Sequence, residues 1–517
     1  MAYTIFPSPG LEHGKRILTA VIEQRAKDDA SEPWLSVPVD ETNLSMGYKD
    51  LTFWQLNNAA NRAAYWMSEN LPTGEPFQCF AYTGPKDLRY PILAVAAAKV
   101  QKVMVLPSPL VTPEAQLQIL EKKGCTLYLR PDEMTEPVAG ILKGTSHIKP
   151  ITIPALEYFL NDTEASPSWA EGKDDPWLVF HTSGTTGNPK PVTYSHQMMA
   201  GVEVAASLPD IEETHIHQYA QRRWYTPLPS LHFVGMLMTL SMTTFVNMIA
   251  VIGPVGPPSP ATVTEVLRHG RVEGALLPPV LIDALCLFPD GLEALKDLQY
   301  VHYAGASLST KSTELLVPYT QVVPCVGSTE AGGYFTAIHG QINAWDYLAF
   351  QRHAGATFEQ RLGDLHELVF IRNPECAMQQ IFTHPTKKGL WKIIGRSDDY
   401  VCFSHGDGLH ASLLEPEITA HPGVNNALIG GHGRQSPVLL VEFVEGAEDN
   451  GTREGLLKSL RPYIDKLNAR CHASIRISPE KVIIASKDKM FITTIKGSVA
   501  RLQTLRLYED EIAALFT

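Results

Sequence analysis

The chain has 517 residues, 44% hydrophobic and 19% charged, with a formal net charge of −12. That is the composition of a globular protein with more than one core, and the acidic balance argues against a partner recognised through its phosphate backbone, so no nucleic acid is expected. The seven cysteines lack C-x-x-C spacing, and Met1-Ala2-Tyr3-Thr4-Ile5-Phe6-Pro7 has no basic segment before an apolar core; free thiols and a cytoplasmic location are expected.

In chain order, residues 51–69 carry helical periodicity and 77–82 read as the strand that follows. Residues 92–100, apolar and alanine-rich, suit a buried helix, and 103–107 a short strand closed by proline. Residues 177–180 form another apolar strand, and a helix-like stretch follows Ser195, so the polar run between them is expected to lie between a strand and a helix. Residues 235–256 are uncharged and long enough to span a bilayer. Their Thr239, Ser241, Thr243, Thr244 and Asn247, with the turn at Gly253-Pro254, favour a buried helix and a core strand instead, and no membrane partner is expected.

Further on, 265–271 reads as helix, 274–277 as strand, 280–287 as helix and 300–306 as a strand breaking into a small-residue turn. From Leu365 the alternation shortens, which suits antiparallel strands. The last stretch offers strands at 427–429, 438–443 and 482–484 and a helix at 456–467. This succession predicts an α/β chain: a large N-terminal domain with parallel or mixed sheets sandwiched by helices, and a smaller C-terminal α+β domain. The boundary is expected at 396–398, with 1–395 as the large domain and 399–517 as the small one.

The run Phe180-His181-Thr182-Ser183-Gly184-Thr185-Thr186-Gly187-Asn188-Pro189-Lys190 carries the chemistry. Its glycines let backbone N–H groups approach polyphosphate oxygens, its hydroxyls can donate further bonds, and Lys190 adds a positive charge. It is not a Walker A loop, because Asn188 and Pro189 separate the lysine from the second glycine. The pattern T-S-G-T-T-G-x-P-K resembles the phosphate loop of the adenylate-forming superfamily: acyl-CoA synthetases, luciferases and the adenylation domains of nonribosomal peptide synthetases. The likeness runs from residues 48–53 to 507–512. It is closest to the adenylation domain of fungal nonribosomal-peptide-synthetase-like adenylate-forming reductases, on His181 to Gly184, Thr383-His384-Pro385-Thr386-Lys387-Lys388-Gly389-Leu390-Trp391, and the order Lys496-Gly497 where most members have Gly-Lys. That family's carrier and reductase domains are not expected here.

The resemblance implies ATP and magnesium as cofactors and assigns roles. Thr182, Ser183, Gly184, Thr185, Thr186, Gly187 and Lys190 would hold phosphates. Val326-Gly327-Ser328-Thr329-Glu330 is similar to the Y-G-x-T-E motif, which puts Ser328 and Thr329 at the nucleotide and Glu330 on magnesium; alone, such a run is more often a helix cap. Gly305 and Ala306 match the segment that stacks on adenine. Pro227-Leu228-Pro229-Ser230-Leu231-His232-Phe233-Val234-Gly235 resembles the P-x-x-H-x-x-G stretch that sets His232 near the acid. Amino-acid-activating domains place an aspartate in the helix that follows, and none lies between Leu231 and Leu240, so the acid is expected to lack an α-amino group and to be an aryl or keto acid.

Gly395-Arg396-Ser397-Asp398 resembles the hinge motif, with Arg396 near the ribose, Asp398 as pivot and Asp399 beside it, and Thr493-Thr494-Ile495-Lys496-Gly497 resembles the loop that delivers a catalytic lysine. Lysine suits that task as a mobile point charge. Together these imply acyl-adenylate formation with release of pyrophosphate, catalysed mainly by positioning and charge neutralisation. The acyl group would pass to a carrier protein in trans or to coenzyme A.

Two departures bear on this. The family carries a ribose-binding aspartate ahead of the H-P-T run, yet no Asp lies between Leu365 and Ser397; losing a charge-assisted bond of about 1.5–3 kcal/mol would weaken nucleotide binding about ten- to a hundredfold. Ser404-His405-Gly406-Asp407-Gly408 stands where the family has S-N-G-E-K, so Gly408 replaces a lysine. The alternatives are a free-standing acyl-CoA ligase and a catalytically silent binding or scaffold protein of the same fold.

Overall fold

The computed structural model describes residues 16–516 except 110, 162–171, 173, 183–189, 208–213, 306–307, 330–331, 335, 340–343, 351–355, 363–364, 371–380, 384–389, 393–399, 404–407, 445–452, 470, 472 and 494–498. The described residues divide into two compact units, one up to residue 355 and one from residue 356. The expected hinge at 396–398 lies outside the described residues.

The first unit opens with helix α1 (Leu18–Asp28), strands β1 (Pro33–Pro38) and β2 (Tyr48–Thr52), and helix α2 (Phe53–Asn70). Thr52 closes β2 and starts α2 through a reciprocal capping box. The Gln55 N–H donates to the Thr52 hydroxyl at 3.2 Å, and the Thr52 N–H donates to the Gln55 side chain at 2.9 Å. Helix α2 therefore begins at Phe53 rather than at residue 51, because the residues before it pair with β1. Its buried face repeats at Leu56, Ala59, Ala60, Ala63, Ala64 and Met67, a helical stripe. Helix α3 (Arg89–Lys99), buried along its whole length, packs there; runs of alanine on both helices let their backbones approach.

Strands β3 (Gln78–Tyr82), β4 (Lys102–Val105), β5 (Leu127–Arg130), β6 (Lys149–Thr152), β7 (Pro176–Thr182) and β8 (Lys190–Ser195) form a six-stranded sheet in the order β6-β5-β3-β4-β7-β8. It is parallel except for β8, which pairs antiparallel with β7. The glycine-rich run thus lies between two strands, not between a strand and a helix. Residues 190–195, exposed at Lys190 and buried at Tyr194, form the sheet edge, where Pro191 is tolerated, and the helix begins only at His196.

Strands β9 (Arg223–Tyr225), β10 (Ile249–Val251), β11 (Gly274–Leu277), β12 (Tyr300–Ala304), β13 (Gln321–Ser328) and β14 (Gly332–Tyr334) join β1 and β2 in an eight-stranded sheet ordered β14-β13-β12-β11-β9-β10-β1-β2. Its interior pairs are parallel and its two edge pairs antiparallel. Arg223 binds the β1–β2 hairpin to this sheet by donating to Asp50 at 3.0 Å and to the Ser36 hydroxyl at 2.6 Å. A short strand β15 (Leu348–Ala349) makes an isolated bridge to Ala337.

The uncharged stretch after residue 233 is a buried helix ahead of a core strand, as expected. An α-turn at Phe233–Met236 passes through a π-helical turn at Leu237–Ser241 to Met242–Val246, and β10 follows. Three of its hydroxyls bond to backbone carbonyls: Thr239 donates to Gly235 at 2.9 Å, Ser241 to Met199 at 2.8 Å and Thr243 to Thr239 at 3.0 Å. Among the described residues no helix is long and apolar enough to cross a membrane.

The second unit opens with β16 (Ala356–Leu362), β17 (Leu365–Phe370), β18 (Ile381–Thr383) and β19 (Leu390–Lys392), an antiparallel succession that matches the shortened alternation of the sequence. The hairpin of β20 (Tyr400–Cys402) and β21 (Gly408–His410) follows. A three-stranded sheet of β22 (Val424–Gly430), β23 (Val438–Phe443) and β24 (Val482–Ile484) packs on the helix Arg453–Asn468, which buries Leu460, Ile464 and Leu467. The whole is the expected α/β fold: large parallel and mixed sheets covered by helices, then a smaller α+β part.

Candidate functional site

Three segments singled out in the sequence converge in the first unit. The register of β7 and β8 sets Thr182 opposite Lys190, so the glycine-rich run leaves and rejoins the sheet at neighbouring positions. Lys190 is exposed. His181, the penultimate residue of β7, is held by the Ser108 backbone N–H, which donates to its Nε2 at 2.9 Å from the segment after β4.

The second segment is the turn before the buried helix. His232 caps it: the Val234 N–H donates to His232 Nδ1 at 3.3 Å, and the ring is half-buried. An Nδ1 that accepts puts the ring proton on Nε2, the tautomer assigned here from the hydrogen bond. The glycine of P-x-x-H-x-x-G has a packing reason. A side-chain carbon at Gly235 would come within 2.1 Å of the Pro229 carbonyl oxygen, so only glycine lets the helix fold back on its own proline turn.

The third segment is the β13–β14 hairpin, in which Ser328 pairs with Gly332 and Thr329 follows β13 directly. The Tyr194 hydroxyl, on β8, donates to the Thr329 carbonyl at 2.7 Å. The Tyr194 ring packs edge-on against Phe180 of β7, centroids 5.1 Å apart, and at 5.1 Å against Phe233, the first residue of the helix capped by His232. The Phe233 ring also lies against the hairpin, its Cζ 3.8 Å from a carbon built at Gly332. Gly305 ends the neighbouring strand β12 with φ +93°, a left-handed conformation that suits glycine and stops the strand.

Thr182 ends β7, but its side chain and Ser183, Gly184, Thr185, Thr186, Gly187, Ala306, Glu330, Arg396, Asp398, Asp399 and Lys496 lie outside the described residues. The segment lacking the ribose aspartate, residues 371–380, does too.

Sequence reasoning missed Tyr194 and a polar cluster buried against strands β12 and β13. The Tyr219 hydroxyl lies 2.8 Å from His302 Nδ1, His302 Nε2 lies 2.8 Å from the Gln218 side-chain Oε1, and Cys325 Sγ lies 3.4 Å from His302 Nδ1. Burial holds His302 well below the usual imidazole range and pushes the Cys325 thiol up to about 12, so both are neutral. His215, bonded to the Thr336 hydroxyl at 2.8 Å, is lowered by burial to about 3. The cluster packs against the middle of β12 and β13 without charge. Its only sequence signal is polar residues inside apolar strands.

An α/β chain that sets Tyr194 between the β13–β14 hairpin and the helix capped by His232 has the frame of a recognisable class. The chain matches the AMP-binding enzyme family over residues 32–358 and the AMP-binding enzyme C-terminal domain over 398–517; it belongs to that family of adenylate-forming enzymes. It is 27% identical to a carboxylic acid reductase of Neurospora crassa, over 98% of this chain and 51% of the relative. It is 23% identical to the adenylate-forming reductase Nps11 of Serpula lacrymans, over 100% of this chain and 50% of the relative. The chain thus spans about half the length of these relatives. Among solved structures it resembles the anthranilate CoA ligase AuaEII in complex with anthranoyl-AMP, with a TM-score of 0.73 at 16% identity, covering 98% of this chain and all of that one.

Proposed function

We propose that this chain converts a carboxylic acid without an α-amino group, of the aryl or keto class, to its acyl-adenylate with release of pyrophosphate from ATP, and passes the acyl group to a thiol. The observation that carries the reading is the convergence of the β7–β8 turn, the His232 cap and the Thr329 hairpin in one unit. The relatives named as carboxylic acid and adenylate-forming reductases, and the neighbour that holds anthranoyl-AMP, support an acid-activating reaction.

In this reading Thr182 to Gly187 and Lys190 surround the triphosphate, Ser328, Thr329, Gly305 and Ala306 hold the nucleoside end, and Arg396 reaches the ribose. Glu330 would hold magnesium, which neutralises phosphate charge when bound. His232 orients the acid with its Nε2–H, and Lys496 stabilises the charge that builds between the carboxylate and the α-phosphate. Asp398, with Asp399 beside it, serves as the hinge between residues 1–395 and 399–517. The thiol belongs to a carrier protein or to coenzyme A.

The test is pyrophosphate release from ATP and magnesium across a panel of aryl, keto, fatty and amino acids, with hydroxylamine to trap the adenylate. Release dependent on an aryl or keto acid is expected. A folded protein that is silent across the panel would sink the reading in favour of a binding or scaffold role, and thioester formation with free coenzyme A would make it a ligase.

A further inference from the structure

We propose that Tyr194 is a positioning residue that sets the nucleotide hairpin against the acid-site helix; this rests on the reading above. Its hydroxyl makes the 2.7 Å bond to the Thr329 carbonyl, while its ring supports Phe233 directly behind His232. Tyr194 itself lies on β8, the strand that resumes at Lys190. One buried side chain therefore touches the segments assigned to the nucleoside and the acid, with Phe180 bracing it from β7.

The two functions of the side chain are separable. Among the described residues the hydroxyl bonds the Thr329 carbonyl, whereas the ring packs on Phe233 and Phe180. A neutral hydrogen bond to a backbone carbonyl is worth enough to change an affinity about three- to tenfold when it is removed. Replacing Tyr by Phe keeps the aromatic packing, so the loss should fall on the nucleotide alone. Replacing it by Ala removes the support of Phe233 as well, so the loss should spread to the acid.

The experiment measures the Kd of magnesium–ATP by calorimetry, the KM of the acid by pyrophosphate release and the thermal midpoint, for the wild type, Tyr194→Phe and Tyr194→Ala. Tyr194→Phe should raise the ATP Kd about three- to tenfold and leave the acid KM within about twofold, and Tyr194→Ala should raise both. A Tyr194→Phe protein with unchanged ATP affinity, or one in which both constants move in step with a lowered midpoint, overturns the inference while the function above stands. A wild type that binds no ATP overturns both.

Discussion

The Ser108 backbone N–H and the His181 imidazole form a 2.9 Å hydrogen bond that fastens the segment after β4 to the penultimate residue of β7, just ahead of the glycine-rich run. Ser108 is 4% exposed, so water is a poor substitute for that acceptor. His181→Leu should destabilise the protein by about 1–3 kcal/mol in urea unfolding and raise the KM for ATP. An unchanged unfolding midpoint would show that the bond contributes nothing.

Lys190 and Lys496 should fail in different ways. With Lys190 on the phosphates, as proposed, Lys190→Ala should raise the KM for ATP about ten- to a hundredfold. With Lys496 at the forming bond, as proposed, Lys496→Ala should lower kcat while ATP binding persists. Steady-state kinetics on both variants separate the two roles, and a Lys496→Ala enzyme with full kcat would remove that residue from the chemistry.

Gly235→Ala sets a methyl carbon 2.1 Å from a backbone oxygen, where no side-chain rotation can relieve it. We expect a loss of about 1–3 kcal/mol and a raised acid KM, since the displaced turn carries His232. Circular-dichroism melts beside acid titrations check both.

Acid should unfold the protein through its buried imidazoles. His196, stacked on Trp177 at 4.7 Å, is lowered by burial to about 4, and His215 to about 3. The unfolded chain takes up protons on these rings near pH 6.5 while the folded chain does not. Stability is therefore full above about pH 6.5 and falls as the pH drops toward 4. His196→Gln should flatten that slope in urea titrations between pH 7 and 4.5; a slope equal to that of the wild type would acquit this histidine.

Lys86 should titrate far below an ordinary lysine. Half-buried beside Trp224, Leu228 and Met238, it is lowered by desolvation from 10.5 to about 8. Between those values the unfolded chain holds more protons, so stability rises with pH through the window. Carbon-13 NMR of the dimethylated lysines reads the value directly, and a Lys86 signal titrating above 10 would contradict the burial.

The sequence made the alternation of strand and helix legible, and strands 274–277, 438–443 and 482–484 were read with the bounds they take in the structure. Elements that bury a continuous apolar run announce themselves this way. Strand β8 did not: Lys190 and Pro191 look like the end of a loop, and only pairing with β7 makes an edge strand of them. The capping box at Thr52 and Gln55 was readable, yet periodicity alone started the helix too early. Of the site, the motifs could be found by their wording. Tyr194 could not, because its partner is a carbonyl 135 residues away, and no local pattern encodes a bond to a distant backbone atom.

The pairing of β1 with β10, Leu35 opposite Ala250, joins residues more than 200 positions apart. During synthesis at about 5–20 residues per second, the β1–β2 hairpin must wait roughly 10 to 40 seconds for its partner strand to emerge. Throughout that interval Trp34 and Leu35, both buried in the finished sheet, lack the parallel partner that covers this edge of β1. The early hairpin is thus the segment most exposed to premature association, and expression at lower temperature or with added chaperone should act chiefly on the fate of these first strands.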